Sequence, residues 1–408
     1  MSQTNCSVGQ FIVPPPPTKE EKNEIALGVH WATSKTILLG WDFDTVAGTL
    51  NPPPHRLARL YELLDAFSRT RKRAPIKEWH RLLGELRSMA PVLPGARDLF
   101  STLQDALSRG DRSRVRLNSR VFDSLEDFRC IANSLSTRPT RFREVVAFGP
   151  PVAYGACDAC QRGMGGVWFR PGYNPIVWHV PFPAPVQRCL VTSANRGGTI
   201  SISDLELAGT LAHKHILVKA SGDLAERPIW LAGDNRASIS WATKGSSTSV
   251  SAHAYLLRLT ALHQRTYQYV PSHDYIAGRT NTMADDASRR WDLDDHTLLV
   301  SLLNSSYPQD MSWTMLTLQA STTSAVIGAL LRQRSIPISL TIDMPHPLAR
   351  GASGSSSAPP TEFGPTCRMS TPTPSLLSSC LRNVTAPGPS RPVRNPSALA
   401  QWRTPSAT

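Results

Sequence analysis

Asp158, Glu206, Asp234 and Asp285 are far apart in the chain, yet each stands at a point where a secondary-structure element is expected to begin or end. Converging carboxylates can hold two divalent cations about 4 Å apart, an arrangement that activates a water and stabilises the leaving oxygen of a phosphodiester. Four carboxylates are the usual supply for such a pair. The chemistry these residues would perform together is metal-dependent hydrolysis of a nucleic acid.

The elements that must position them are legible locally. Asp158 closes an apolar stretch in AYGACDACQRGMGGVW, ahead of Gly163, Gly165 and Gly166, which read as the turn of a hairpin with Asp158 on its first strand. In SISDLELAGTLAH, Asp204 is placed to cap a helix whose apolar positions Leu205, Leu207, Ala208 and Leu211 follow a helical period, with Glu206 in the first turn. Asp234 ends the short buried-strand pattern PIWLAGDN, just before a helical stretch from Arg236 to Thr243, at the strand end where open α/β sheets place ligands. Asp285, in NTMADDASRR, is expected early in a short helix.

From about Val145 to Trp291 the chain resembles the ribonuclease H domain of retroelement reverse transcriptases, particularly those of DIRS-type or related elements. The resemblance lies in DAC..GMGGVW, ISDLELAG, LAGDNRASISWATKGSSTS, AYLLRLTALHQRTYQYVPSHDYIAGRTN and NTMADDASR. Each stretch is weak alone; five in family order are a strong signal. The resemblance implies an α/β fold with a five-stranded mixed sheet flanked by helices: three hairpin-linked strands, a helix, a fourth strand, helices, a fifth strand and a last helix. On that plan residues 176–181 read as strand two, 199–202 as strand three, 229–233 as strand four and 267–276 as strand five. Helices are expected over about 206–215 and 250–264.

The resemblance also implies site roles. Asp158 would bridge two Mg2+ ions, with Mn2+ as a substitute, Glu206 and Asp285 would complete one side, and Asp234 would orient the attacking water. The reaction would be cleavage of the RNA strand of an RNA:DNA hybrid. The ADxxSR spacing selects Asp285 over Asp286, and Asn235 and Asn281 are expected to contact the nucleic acid. Many family members carry a histidine six residues before the Asn preceding the last Asp, where it assists proton transfer or product release. Counting back from Asn281 gives Tyr275, with His273 two residues earlier as the histidine candidate.

Other residues have plainer readings. His213 and His215, and His253 with His263, are expected to be exposed or structural, because no Cys or His partner is spaced for a metal. No Lys-Ser/Thr follows Gly163–Gly166, so that run is a turn and not a phosphate cradle. Cys157 and Cys160 form a CxxC, but a zinc site needs a second ligand pair, which leaves them as packing residues.

A chain of 408 residues with 40% hydrophobic content can bury more than one core, so two folded units plus linkers are expected. Seven cysteines without framework spacing point to a reducing compartment. No apolar run reaches the roughly 18 residues of a membrane span, and no signal layout opens the chain. The expectation is a soluble intracellular protein, cytoplasmic or nuclear, with no membrane partner.

The net charge of +13 is uneven: residues 56–143 hold 19 Lys or Arg against 10 Asp or Glu, while 145–295 hold 14 against 12. A polyanion is the natural partner of such a surplus, since cations that neutralise phosphates release counterions, although solvated helix faces explain the same charges. Leu57, Leu60, Leu64 and Phe67, then Ile76, Trp79, Leu83, Leu86 and Met89, then Leu99, Leu103 and Leu107 mark successive helices, with a further one around Val121, Leu125, Phe128 and Leu135. This small helical unit is similar to the thumb and connection region that grips primer-template in retroelement reverse transcriptases, which makes Arg69, Arg71, Lys72 and Arg73 candidate phosphate contacts. No Tyr-x-Asp-Asp hairpin precedes it, so the polymerase palm is expected to be missing and the chain to be a fragment of a longer element protein.

The expected organisation is an N-terminal extension (1–36), a helical thumb-like region (37–143), a ribonuclease H-like domain (145–295), a short helical extension (296–343) and a low-complexity disordered tail (344–408). Three functions remain open on the sequence: a magnesium-dependent hybrid ribonuclease, a catalytically silent nucleic-acid-binding remnant, and a domesticated interaction protein. Association with other proteins of the element is a further expectation.

Overall fold

A computed structural model of the chain describes residues 35–333, apart from 39, 112, 148, 223 and 248–250. The expected N-terminal extension and low-complexity tail lie outside the described residues, except for the start of β1.

The helical periodicity of the first region becomes four main helices: α1 (Pro54–Asp65), α2 (Ile76–Met89), α3 (Phe100–Ser108) and α4 (Ser119–Ser134). Proline at the first position of α1 gives up a backbone N–H that no helix could satisfy there. Asn118 caps α4, its side chain accepting from the Val121 amide at 3.1 Å. Leu60 and Leu64 of α1, Trp79, Leu83 and Leu86 of α2, and Val121, Leu125 and Phe128 of α4 close over one core. The region is not purely helical, however. Strands β1 (Lys35–Leu38), β2 (Trp41–Asp44), β3 (Thr49–Asn51) and β6 (Thr140–Arg141) form an antiparallel sheet in that order, and β4 (Arg73–Pro75) pairs with β5 (Arg114–Arg116). Strands of two to four residues carry too little alternation to stand out in sequence.

The second region is built on a mixed sheet. Strands β7 (Ala153–Ala159), β8 (Gly163–Phe169) and β9 (Ile176–Pro181) run antiparallel, β10 (Pro228–Gly233) and β11 (Val270–Tyr275) extend the sheet parallel to β7, and β12 (Thr314–Met315) joins β9 in parallel. The spatial order is β11-β10-β7-β8-β9-β12. Around it lie α5 (Ala184–Arg188), α6 (Ile202–Ser221), α7 (Arg236–Lys244), α8 (Ala252–Tyr267), α9 (Thr282–Arg289) and α10 (Ala320–Leu330). Of the expected extension beyond Trp291, helical turns run through residues 295–306, and α10 packs Ala325, Val326 and Leu330 into the core.

Three assignments change. Ile176–Pro181 is the third strand, and Gly163–Phe169, read from sequence partly as a turn, is the second. Its glycines are there for close packing. A Cβ on Gly163 would lie 2.1 Å from the Trp291 ring, and one on Gly165 would lie 2.7 Å from the backbone of Ala287 in α9. A Cβ on Gly166, pointing to the other face, would meet His213 of α6 and the Trp178 indole at 3.0 Å. Helices α6 and α9 therefore press on opposite faces of β8. Residues 199–202 are not a strand: Ile200 makes only an isolated bridge to Leu190, and Ile202 opens α6.

Helix α6 is enclosed on all sides, with Asp204 through Leu217 all buried. That enclosure makes His213 and His215 structural, one of the two readings the sequence leaves open. His213 stacks on Trp168 at 4.1 Å and accepts from Trp178 Nε1 at 2.8 Å, while His215 bonds to His263 at 3.2 Å and to Thr322 at 3.0 Å.

The two hydrophobic cores meet on α8. Leu256, Leu257 and Leu259 belong to the sheet core, whereas Ala261 and Leu262 belong to the core of the first region. Arg258 grips Asp127 of α4 through two bonds of 2.6 and 2.8 Å, and Arg138 donates to the Thr266 carbonyl at 2.6 Å. Gly95, at φ +83°, lets the chain approach within 2.8 Å of the Ala261 carbonyl at the point where a Cβ would stand. Among the described residues, no helix is long and apolar enough to cross a membrane.

Candidate metal centre

Three of the four sequence-selected acids converge. Asp158 is the penultimate residue of β7, Glu206 projects from α6, and Asp234 directly follows β10; one ligand oxygen from each lies within 4.8 Å of the others. The sheet register explains the first pairing. Ala156 of β7 is level with Ala232 of β10, so two residues on, where the parallel strands end, Asp158 and Asp234 come side by side.

The start of α6 fixes Glu206. Ser201, not Asp204, is the N-cap; its hydroxyl accepts from the Asp204 amide at 3.2 Å, and Asp204 Oδ2 accepts from the Ser201 amide at 2.8 Å, an aspartate version of the capping box. Asp204 Oδ1 also accepts from the His253 amide at 3.1 Å and lies 3.0 Å from its Nδ1, tying α6 to the start of α8. Burial pushes the Asp204 carboxyl up, but the bonds from His253 and Ser201 outweigh it and hold the group below its ordinary range. Asp204 is thus committed to structure.

Glu206 and Asp234 experience the opposite balance. Burial raises Glu206 well above the usual carboxylate range, and the nearby charges of Asp158 and Asp234 add to the effect against a single opposing amide, that of Ala159. Asp234 is raised by burial and then by Asp158. All the donors are hard oxygens crowded in a partly buried place, where their negative charge is offset only in part by Arg289 beside Asp158. A divalent hard cation fits this donor set.

Asp285 sits in the first turn of α9, half-exposed, outside that group of three. It pairs with Arg289, whose Nε lies 2.7 Å from Asp285 Oδ1 and 3.6 Å from Asp158 Oδ2. Burial raises the Asp285 carboxyl, with Arg289 opposing and Asp158 and Asp234 reinforcing. Asp286 faces elsewhere, accepting from the Tyr307 hydroxyl at 2.7 Å. Ser288 donates to Asp158 Oδ2 at 2.5 Å. Sequence reasoning used Ser288 and Arg289 only to close the ADxxSR spacing and gave them no role, although both stand one helical turn after Asp285 and so share its face.

The remaining candidates are placed as follows. His273 lies inside β11, level with Leu231, with Nε2 enclosed and without a hydrogen-bond partner; burial holds its ring well below the usual imidazole range. Tyr275 ends the same strand level with Gly233, under the Arg236 guanidinium at 4.0 Å. Asn235 caps α7, accepting from the amides of Ala237 and Ser238 at 3.0 and 3.1 Å. Asn281 is buried and donates to the Cys157 carbonyl at 3.2 Å, linking the start of α9 to the strand that carries Asp158. Asn281 Oδ1 is buried without a hydrogen-bond partner. Arg69 pairs with Asp123 and Arg71 with Glu78, while Lys72 and Arg73 are exposed beside them. Cys157 is buried against Thr210, and Cys160 lies 3.1 Å from the Ser288 carbonyl; both pack as expected.

No protein-family model and no curated protein matches the chain. Solved structures similar to it include the foamy viral protease-reverse transcriptase in complex with RNA/DNA hybrid, at 13% identity over 60% of this chain and 29% of that one, TM-score 0.26. The same protein in complex with dsDNA gives 13% identity over 60% and 45%, TM-score 0.24. The native prototype foamy virus protein gives 14% over 49% and 24%, TM-score 0.19. The chain spans less than half the length of each.

Proposed function

We propose that this chain is a retroelement-derived, ribonuclease H-like protein that hydrolyses the RNA strand of RNA:DNA hybrids at a divalent-cation centre. The observation that carries this reading is the meeting of Asp158, Glu206 and Asp234 within 4.8 Å from three separate elements. The order of the elements supports it: three antiparallel strands, a long helix, a fourth strand, two helices, a fifth strand and the helix bearing Asp285.

Asp158, Glu206 and Asp234 would hold the cation, with Asp285 as the fourth carboxylate beside them. When bound, the metal supplies Lewis acidity that lowers the pKa of a water and offsets charge on the phosphate oxygens. Ser288 holds Asp158 in place, the Ser201–Asp204 box sets the height of Glu206, and the end of β10 delivers Asp234. The exposed Lys72 and Arg73 are candidates for phosphate contacts that position rather than specify. The test uses the full chain and a hybrid labelled on its RNA strand, with Mg2+, Mn2+ or a chelator. Metal-dependent RNA cleavage lost in Asp234→Asn is expected; cleavage that survives that change or the chelator overturns the assignment.

One observation favours a second reading, hybrid binding without turnover. His273 lies in β11 with its Nε2 enclosed, and among the described residues no histidine joins the group formed by Asp158, Glu206 and Asp234. That reading predicts salt-sensitive hybrid binding with no metal-stimulated product.

A further inference from the structure

Arg289 is the one basic side chain recorded in ion-pair contact with the carboxylates of the centre among the described residues. Its Nε stands 2.7 Å from Asp285 Oδ1 and 3.6 Å from Asp158 Oδ2, between two acids that arrive from different elements. Asp285 is excluded from the compact group formed by Asp158, Glu206 and Asp234. We propose that Arg289 is an internal counter-cation that closes the second metal position, so that the resting centre takes one divalent ion at Asp158, Glu206 and Asp234 and admits another only when Arg289 withdraws.

This inference rests on the metal-centre reading above and adds the order in which the positions fill. A guanidinium and a divalent ion compete for the same carboxylate oxygens, since both are held there by charge and neither tolerates the other close by. The oxygen that Arg289 faces on Asp158 is also the one that Ser288 donates to, so Oδ2 is committed to groups of α9. Asp285 and Arg289 are spaced by one helical turn, which makes their pairing a property of α9 itself. The Arg289 side chain is 54% exposed, so it can turn into solvent without opening the core.

The test is calorimetric titration of the full chain with Mn2+, together with electron paramagnetic resonance of the bound ions. In the natural protein a single tight ion with an uncoupled spectrum is expected, followed by a weaker second. Arg289→Ala should tighten the second ion about tenfold, the scale expected for removing one partly screened charge, and should bring in the spectrum of a coupled pair. Arg289→Lys, which keeps the charge, should stay within about twofold of the natural protein. Two ions of equal affinity in the natural protein, or an unchanged second affinity in Arg289→Ala, would overturn the inference and leave the metal centre standing. Absence of any bound Mn2+ in the natural protein would overturn both.

Discussion

Ser288 Oγ donates to Asp158 Oδ2 at 2.5 Å, joining residues 130 positions apart, and both side chains are buried. A hydrogen bond to a charged group contributes about 1.5–3 kcal/mol, and the carboxylate oxygen has few other donors within reach. Ser288→Ala should cost about that much stability and slow hybrid cleavage by at least about tenfold, with Ser288→Thr closer to the natural protein. Urea unfolding and initial cleavage rates measure the two effects; a fully active Ser288→Ala would show that Asp158 holds its orientation unaided.

Arg258 and Asp127 form a two-bond pair across the junction of the cores, with Asp127 almost fully enclosed. Truncating one partner of a buried pair leaves the other charge stranded, at about 3–5 kcal/mol, whereas replacing both with apolar groups is far milder. Asp127→Ala should therefore destabilise strongly, and Asp127→Leu combined with Arg258→Met should recover most of the loss. Chemical denaturation decides; a cost below about 1 kcal/mol for Asp127→Ala would mean the pair contributes little.

Burial holds His215 down to about 4. An unfolded chain protonates the same ring near 6.5, so the contribution of keeping it neutral is complete above that pH and is lost as pH falls towards 4, by up to about 1.4 kcal/mol per pH unit. Glu206 and Asp98, both raised by burial, act in the opposite sense, and the informative quantity is a difference. Between pH 6.5 and 4.5, His215→Gln should lose less stability than the natural protein, and parallel curves would contradict the assignment.

Glycines in the two regions should respond oppositely to alanine. A Cβ at Gly165 meets the backbone of Ala287, which cannot move without shifting α9 and with it Asp285, Ser288 and Arg289. Gly165→Ala should lose cleavage and about 1–3 kcal/mol of stability. Gly84 is exposed in α2 with nothing within 4 Å, so Gly84→Ala should gain about 0.5–1 kcal/mol. Thermal melts of both variants, read together, test whether space or chain entropy governs each position.

The site was more legible than the frame around it. Asp158, Glu206 and Asp234 each sit where a local pattern ends or begins, and parallel neighbours in a sheet bring such ends together without further information. Gly163–Phe169 was harder, because glycines signal a turn locally and close helix packing only through Trp291 and Ala287, which are more than a hundred residues away. The stretch 199–202 has strand-like residues, yet Ser201 is better used as a helix cap. That the histidines of α6 are structural and not exposed depends on α8 and α10, elements whose positions no window around residue 213 reveals.

Helix α8 is a shared wall. Its outer half carries Ala261 and Leu262 into one core while Leu256 and Leu257 serve the other, and Arg258 and Arg265 reach across to α4 and its continuation. Expressing the sheet region alone would strip the oil from one side of that wall and leave two cations without their counterweights. A shortened chain would accordingly arrive sticky, and whatever holds the carboxylates in register would inherit the slack.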